Sequence, residues 1–97
     1  MEGKQMDRLK NIQNILRNEN VVAKTRISRA KVKAGYTYLY ERRLWVWFVN
    51  SDMLADKSGV EGMADAVFKE QWIDENRTDK QIADGIIYDW LAWLRKG

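Results

Sequence analysis

The 97-residue chain contains no cysteine, no histidine and no proline. Without cysteine there is neither a disulfide framework nor a thiolate metal site, which suits a reducing compartment. Without histidine the commonest zinc, copper and haem ligand is gone. So are the side chain that titrates near neutrality and every Ser-His or Cys-His nucleophile pair. Only carboxylate, lysine and tyrosine chemistry remains, and the expectation is a non-enzymatic protein with no cofactor and no metal site. Without proline, hinges and linkers have little to mark them. No G-x-x-x-x-G-K-[ST] or G-x-G-x-x-G stretch occurs, so glycine-rich phosphate cradles are missing too. The longest unbroken apolar run, 44–49, is far too short to span a bilayer. The opening residues are polar and hold no signal-like apolar stretch. No membrane partner and a cytoplasmic location are therefore expected.

What is present favours one folded unit. Hydrophobic residues make up 45% of the chain, with five Trp, four Tyr and two Phe, which is too apolar for a disordered tail. A chain of this length buries roughly two thirds of its unfolded surface, enough for one modest core. The domain is therefore expected to span 1–97. Charge is segregated: residues 1–50 hold eleven Lys+Arg against four Asp+Glu, and residues 51–97 hold six against ten. A net of +7 is followed by a net of −4, so the chain is electrically two-sided.

Hydrophobic periodicity places the elements. Met6, Leu9, Ile12 and Leu16 recur at three- and four-residue steps and predict a helix over about 5–17. Residues 21–50 alternate in the manner of strands. Ala23, Thr25 and Ile27 are odd-numbered, whereas Ala30, Val32, Ala34, Tyr36, Tyr38 and Tyr40 are even. The spacing therefore predicts a strand over 21–28, a reset near Ser28 and Arg29, and a second strand whose even positions share a face. A turn at Glu41-Arg42-Arg43 would then lead into a third strand over 44–49. Ser58 with Glu61 reads as a capping box opening a helix to about residue 75. Thr78 with Gln81 opens a last helix through Leu94, with a wide apolar arc from Ile82 to Leu94. The predicted fold is α+β in the order α-β-β-β-α-α, a three-stranded antiparallel sheet with its helices on one face.

That arrangement leaves the other sheet face for recognition. Lys24, Arg26, Arg29, Lys31 and Lys33 form the densest basic stretch, and residues two apart on a strand share a face. Arg42 and Arg43 at the expected hairpin tip would extend the cationic row toward phosphates. The alternative is a solvated face whose lysines deter edge-to-edge aggregation. Trp45 and Trp47 lie opposite Leu44, Val46 and Phe48, so one set fills the core and the other is covered or exposed as a partner anchor. The carboxylate pairs Asp52/Asp56, Glu61/Asp65 and Glu70/Asp74 stand at helical i, i+4 spacing. They read as solvated helix faces, or as an acidic surface imitating phosphates.

The first five expected elements follow the order of a double-stranded-RNA-binding domain. The segment 58–65, Ser-Gly-Val-Glu-Gly-Met-Ala-Asp, is acidic where that family is basic, which excludes the assignment. Over the whole chain, the order of helix, three strands and two helices resembles the small phage-encoded anti-CRISPR proteins that block a CRISPR effector nuclease. The resemblance lies in element order alone and implies a stoichiometric inhibitor of a host protein or nucleoprotein complex, acting in the host cytoplasm. Such inhibitors are acidic and imitate DNA, whereas only the second half of this chain is acidic. A sheet-based DNA- or RNA-binding module is the competing expectation, and a homodimer is compatible with both.

Overall fold

Leu9, Ile12 and Leu16 are fully buried along one face of helix α1 (Glu2–Arg17). The computed structural model describes residues 2–49 and 64–96, with side chains over 8–49 and 64–95. After α1, the amides of Asn18 and Glu19 donate to the carbonyls of Ile15 and Leu16 at 3.2 and 3.0 Å, closing the last turn. The chain then enters strand β1 (Val22–Ala34), reverses, and returns as β2 (Thr37–Phe48). A short third strand, β3 (Ala66–Lys69), pairs with the other edge of β2. A 3-10 turn (Glu70–Trp72) and helix α2 (Asp79–Lys96) complete the order. The sheet is antiparallel throughout, in the order β1-β2-β3.

The sheet's core side carries Val22, Leu44, Val46 and Phe48. Both helices meet it there: Leu9, Ile12 and Leu16 from α1 share one buried cluster with Ile82 and Ala83 from α2 and with Ile73. Partly buried Ile27, Ala66 and Phe68 pack against that cluster, consistent with their pairing opposite Leu44 and Val46. Phe48 stacks on Trp90 with centroids 4.7 Å apart and planes 3° from parallel. The α+β architecture with its helices on one side of three antiparallel strands thus follows from where these apolar stripes point.

The second capping box forms as its spacing implies. Gln81 N–H donates to Thr78 Oγ1 at 3.1 Å, and Thr78 N–H donates to Gln81 Oε1 at 2.8 Å. The predicted arc of α2 is only half covered. Ile82 and Ala83 are buried, Ile86, Ile87 and Trp90 are partly buried, and Leu91, Trp93 and Leu94 are exposed.

Several strand boundaries depart from expectation. There is no break near Ser28 and Arg29: β1 runs through, and its register shift falls between Val22 and Lys24. Nor does the chain turn at Glu41-Arg42-Arg43, which lie inside β2. It reverses at Gly35 and Tyr36, where Gly35 takes φ 64°, the left-handed conformation that glycine adopts without a Cβ clash. Thr37 Oγ1 donates to Ala34 O at 3.0 Å across this turn. The reversal puts Ala30, Val32 and Ala34 on the face opposite Tyr38 and Tyr40, so the even positions do not share one face.

The helix expected over 58–75 is also corrected. Its capping box, Ser58 with Glu61, lies outside the described residues, but 66–69 form β3 and 70–72 the 3-10 turn. The free edge of β2 at Arg43 to Val46 supplies backbone partners that outweigh the helical spacing of Ala64, Val67 and Phe68. Just before β3 begins, Asp65 Oδ2 accepts from Phe48 N–H at 2.8 Å, where a strand carbonyl would otherwise serve. Among the described residues, no helix is long and apolar enough to cross a membrane.

Candidate nucleic-acid interface

The tight reversal at Gly35 makes the β1–β2 hairpin longer than the helices can cover. Thr25 and Ile27, paired with Val46 and Leu44, sit at the core end of the helix-side face. Farther out, the same face carries Arg29 opposite Arg42, Lys31 opposite Tyr40, and Lys33 opposite Tyr38. Arg29, Lys31 and Lys33 are exposed, as are Tyr38 and Tyr40 at 57% and 61%, and Tyr36 at the tip is fully exposed. The result is a ribbon whose cations stand about 7 Å apart, the two-residue repeat of a strand.

Cations and rings interlock along the diagonals. The Arg29 guanidinium lies 3.8 Å from the Tyr40 ring centroid, and Lys31 Nζ lies 4.6 Å from that of Tyr38. Each contact orders a long side chain over a partly solvated ring, worth about 0.5–1 kcal/mol at an exposed site. Arg29 and Lys31 are thereby held on the exposed surface against the tyrosine rings.

Placement divides the other residues singled out from the sequence. Lys24 and Arg26 lie on the opposite face, paired with Trp47 and Trp45, so the expected single row of cations is split in two. Lys24 Nζ sits 4.6 Å over the Trp47 ring, and Arg26 is exposed but already engaged. Trp45 and Trp47 are only 6% and 7% exposed, which removes them as accessible anchors. Trp45 Nε1 donates to Ser28 Oγ at 2.5 Å. Arg42 is half-buried, with Nε 4.0 Å from Glu70 Oε2. Neither arginine stands at a hairpin tip.

Arg43 belongs to a tight cluster on that second face. Glu41, 8% exposed, accepts from Arg43 Nε and, at 2.9 Å, from Gln71 Nε2, while Lys69 Nζ lies 3.5 Å away. The Arg43 hydrogen bond, with help from Gln71 and from the charges of Arg43 and Lys69, holds the Glu41 carboxyl below the usual glutamate value against the opposing effect of burial. With every partner cationic or an amide donor, the carboxylate is a structural link from β2 to β3 and the 3-10 turn. Among the described residues, no group of three or more acidic side chains is placed to hold a metal ion.

Sequence reasoning missed Tyr38 and Tyr40 as members of the basic surface; glycine at position 35 was the signal that could have found them. It also missed a groove of about 610 Å³ between β3 and α2, lined by Phe68, Trp72, Ile86, Asp89, Trp90 and Trp93 among others. No protein-family model, no curated protein and no solved structure matches the chain.

Proposed function

We propose that the chain is a non-enzymatic, cytoplasmic nucleic-acid-binding module whose reading surface is the distal half of the β1–β2 hairpin. One observation carries this reading. Arg29, Lys31 and Lys33 stand in a single exposed rank on one face, interleaved with Tyr38 and Tyr40. Cations at strand spacing follow a phosphodiester backbone and release its condensed counterions, and ring faces beside them offer stacking for unpaired bases. The one guanidinium fork in the rank, Arg29, lies against the Tyr40 ring and the two lysines are point charges, so the affinity is tolerant of sequence and steep in salt.

A salt titration of binding to a labelled random duplex and a random single strand tests this. Wild type binds with a linear log–log salt dependence. Arg29→Ala/Lys31→Ala/Lys33→Ala lowers the slope by roughly 2–3, given about 0.9 per phosphate contact on duplex and 0.7 on single strand. Lys24→Ala/Arg26→Ala, on the opposite face, leaves most of the slope intact. Wild-type protein with no salt-steep binding refutes the reading.

A second reading is favoured by a different observation, the exposure of Trp72 and Trp93 at 54% and 62% beside one groove. Exposed tryptophans of this kind suit a protein partner. On this reading the chain is a phage-type stoichiometric inhibitor, like the anti-CRISPR proteins, that occludes a host protein or nucleoprotein complex. It forms a discrete complex with one target and binds bare nucleic acid weakly.

A further inference from the structure

The groove between β3 and α2 combines two features that the hairpin reading leaves unused. Four aromatic rings line it in two pairs. Phe68 and Trp72 meet edge to face, with centroids 5.9 Å apart and planes at 80°. Trp90 and Trp93 stack at 5.3 Å and 20°. The charged residues lining the same groove are both carboxylates, Asp65 and Asp89. Asp65 is occupied by the Phe48 amide, whereas Asp89 is exposed and has no ion pair among the described residues. Aromatic faces attract cations through their quadrupoles, and a carboxylate beside them adds direct charge complementarity. Trp72 already illustrates the preference, with Lys69 Nζ 5.4 Å from its ring centroid.

We propose that this groove is a docking site for an arginine side chain on a basic segment of a partner protein. Trp90 is already stacked on Phe48 and Trp93, so the platform is the 62%-exposed Trp93 ring, which suits a planar guanidinium that stacks on aromatic faces and presents a fork to a carboxylate. Asp89 is that carboxylate. At about 610 Å³ the groove falls within the range of side-chain and small-ligand sites. Its occupant is opposite in charge to the hairpin's, so the inference stands apart from the nucleic-acid reading.

The test is a ¹⁵N NMR titration with a capped Gly-Arg-Gly-Arg-Gly peptide, following the five tryptophan indole signals. Parallel titrations use peptides carrying citrulline, lysine or trimethyl-lysine in place of arginine. The indoles of Trp72, Trp90 and Trp93 are expected to shift while those of Trp45 and Trp47 stay. Asp89→Asn weakens the arginine peptide roughly ten-fold, the lower end for a charged hydrogen bond, and Trp93→Ala about two- to five-fold, the range for an exposed cation–π contact. Both side chains are exposed, so an unchanged amide spectrum serves as the folding control. Arg29→Ala/Lys31→Ala/Lys33→Ala retains peptide binding, which separates failure here from failure of the hairpin reading. Equal binding of the citrulline peptide, indifference to Asp89→Asn, or preference for trimethyl-lysine overturns the proposal. So does self-association in sedimentation equilibrium that Asp89→Asn abolishes, because the occupant is then a second copy of the chain.

Discussion

Arg8 ties the two helices together through groups far apart in sequence, and its removal has a calculable cost. From α1, Nε donates to Asp79 Oδ1 at 2.8 Å, Nη1 to Asp74 O at 3.2 Å, and Nη2 to Arg77 O at 2.5 Å. Asn11 Nδ2 reaches the other carboxylate oxygen of Asp79 at 3.3 Å. Asp79 opens α2, where the positive end of the helix already favours an acidic group. Both side chains of the ion pair are about one fifth exposed, so solvent screens the pair only in part. A charge-assisted hydrogen bond under such conditions contributes about 1.5–3 kcal/mol. The two carbonyls lie in an exposed loop, and water replaces most of what they lose.

Arg8→Ala is therefore expected to cost roughly 2–3 kcal/mol, a large part of the 5–15 kcal/mol that holds a domain of this size. At about 4–8 °C per kcal/mol, Tm falls by roughly 10–20 °C. Urea unfolding followed by tryptophan fluorescence measures the first quantity, and circular dichroism on heating the second. Asp79→Ala loses the same bond plus its helix-end interaction, so the Arg8/Asp79 double variant shows a coupling of about 1.5 kcal/mol. Part of that coupling disappears in 1 M salt, where the Debye length is about 3 Å. An Arg8→Ala shift below 3 °C, or strictly additive single variants, refutes the assignment of Arg8 as the clasp between α1 and α2.

Other perturbations reach different links. Gly35→Ala meets no atom within 4 Å of the added Cβ but must hold φ 64°, so it costs only the left-handed strain of about 1–2 kcal/mol in urea unfolding. Thr78→Ala removes the acceptor for Gln81 N–H and lowers stability by about 1 kcal/mol, with Thr78→Ser restoring most of it. Phe48→Ala, which empties a fully buried position and the stack on Trp90, costs about 3–5 kcal/mol. Because the folded Glu41 carboxyl lies below its unfolded value, its contribution is complete above about pH 4.3 and is lost as pH falls through the lower folded value. Glu41→Gln should accordingly flatten the acid limb of stability against pH, measured by urea midpoints from pH 3 to 6.

The elements that sequence located well are those whose local signals agreed with their packing. For α1, the stripe of Leu9, Ile12 and Leu16 coincides with its buried face, and the Thr78/Gln81 box fixes where α2 begins. The run 44–48 is apolar on both faces, which leaves open whether Trp45 and Trp47 are covered or exposed as anchors; the whole run is buried. The segment after residue 63 was misread because Ala64, Val67 and Phe68 suit a helical face and a short paired strand equally. Period alone does not choose between them; the unpaired edge of β2 does, and that edge is invisible until the hairpin is in place. Edge strands of four residues are where tertiary pairing most easily overrides local spacing.

The basic surface was misassigned for one topological reason. In a hairpin, the position of the turn decides which residues of the returning strand share a face with the outgoing one. A turn at 41–43 keeps Ala30 to Tyr40 on one strand and puts Tyr38 on the same side as Val32. A turn at Gly35 and Tyr36 instead places Tyr38 beside Lys33 and Tyr40 beside Lys31, on the side opposite Val32. The continuity of β1 through Ser28 and Arg29 is equally consequential: with no reset there, Lys24 and Arg26 take the face of Trp47 and Trp45 while Arg29, Lys31 and Lys33 take the helix-side face. Neither event changes composition or net charge, so counting charges along the chain cannot detect it. The glycine at 35 carries the information, because a two-residue reversal needs a left-handed backbone that no neighbouring residue in β1 adopts as cheaply. With the hairpin so closed, its outer half extends beyond both helices and has no core to cover it. Solvation of the strand ends therefore selects the cationic and tyrosine side chains found there, and the same selection leaves them accessible to a polyanion.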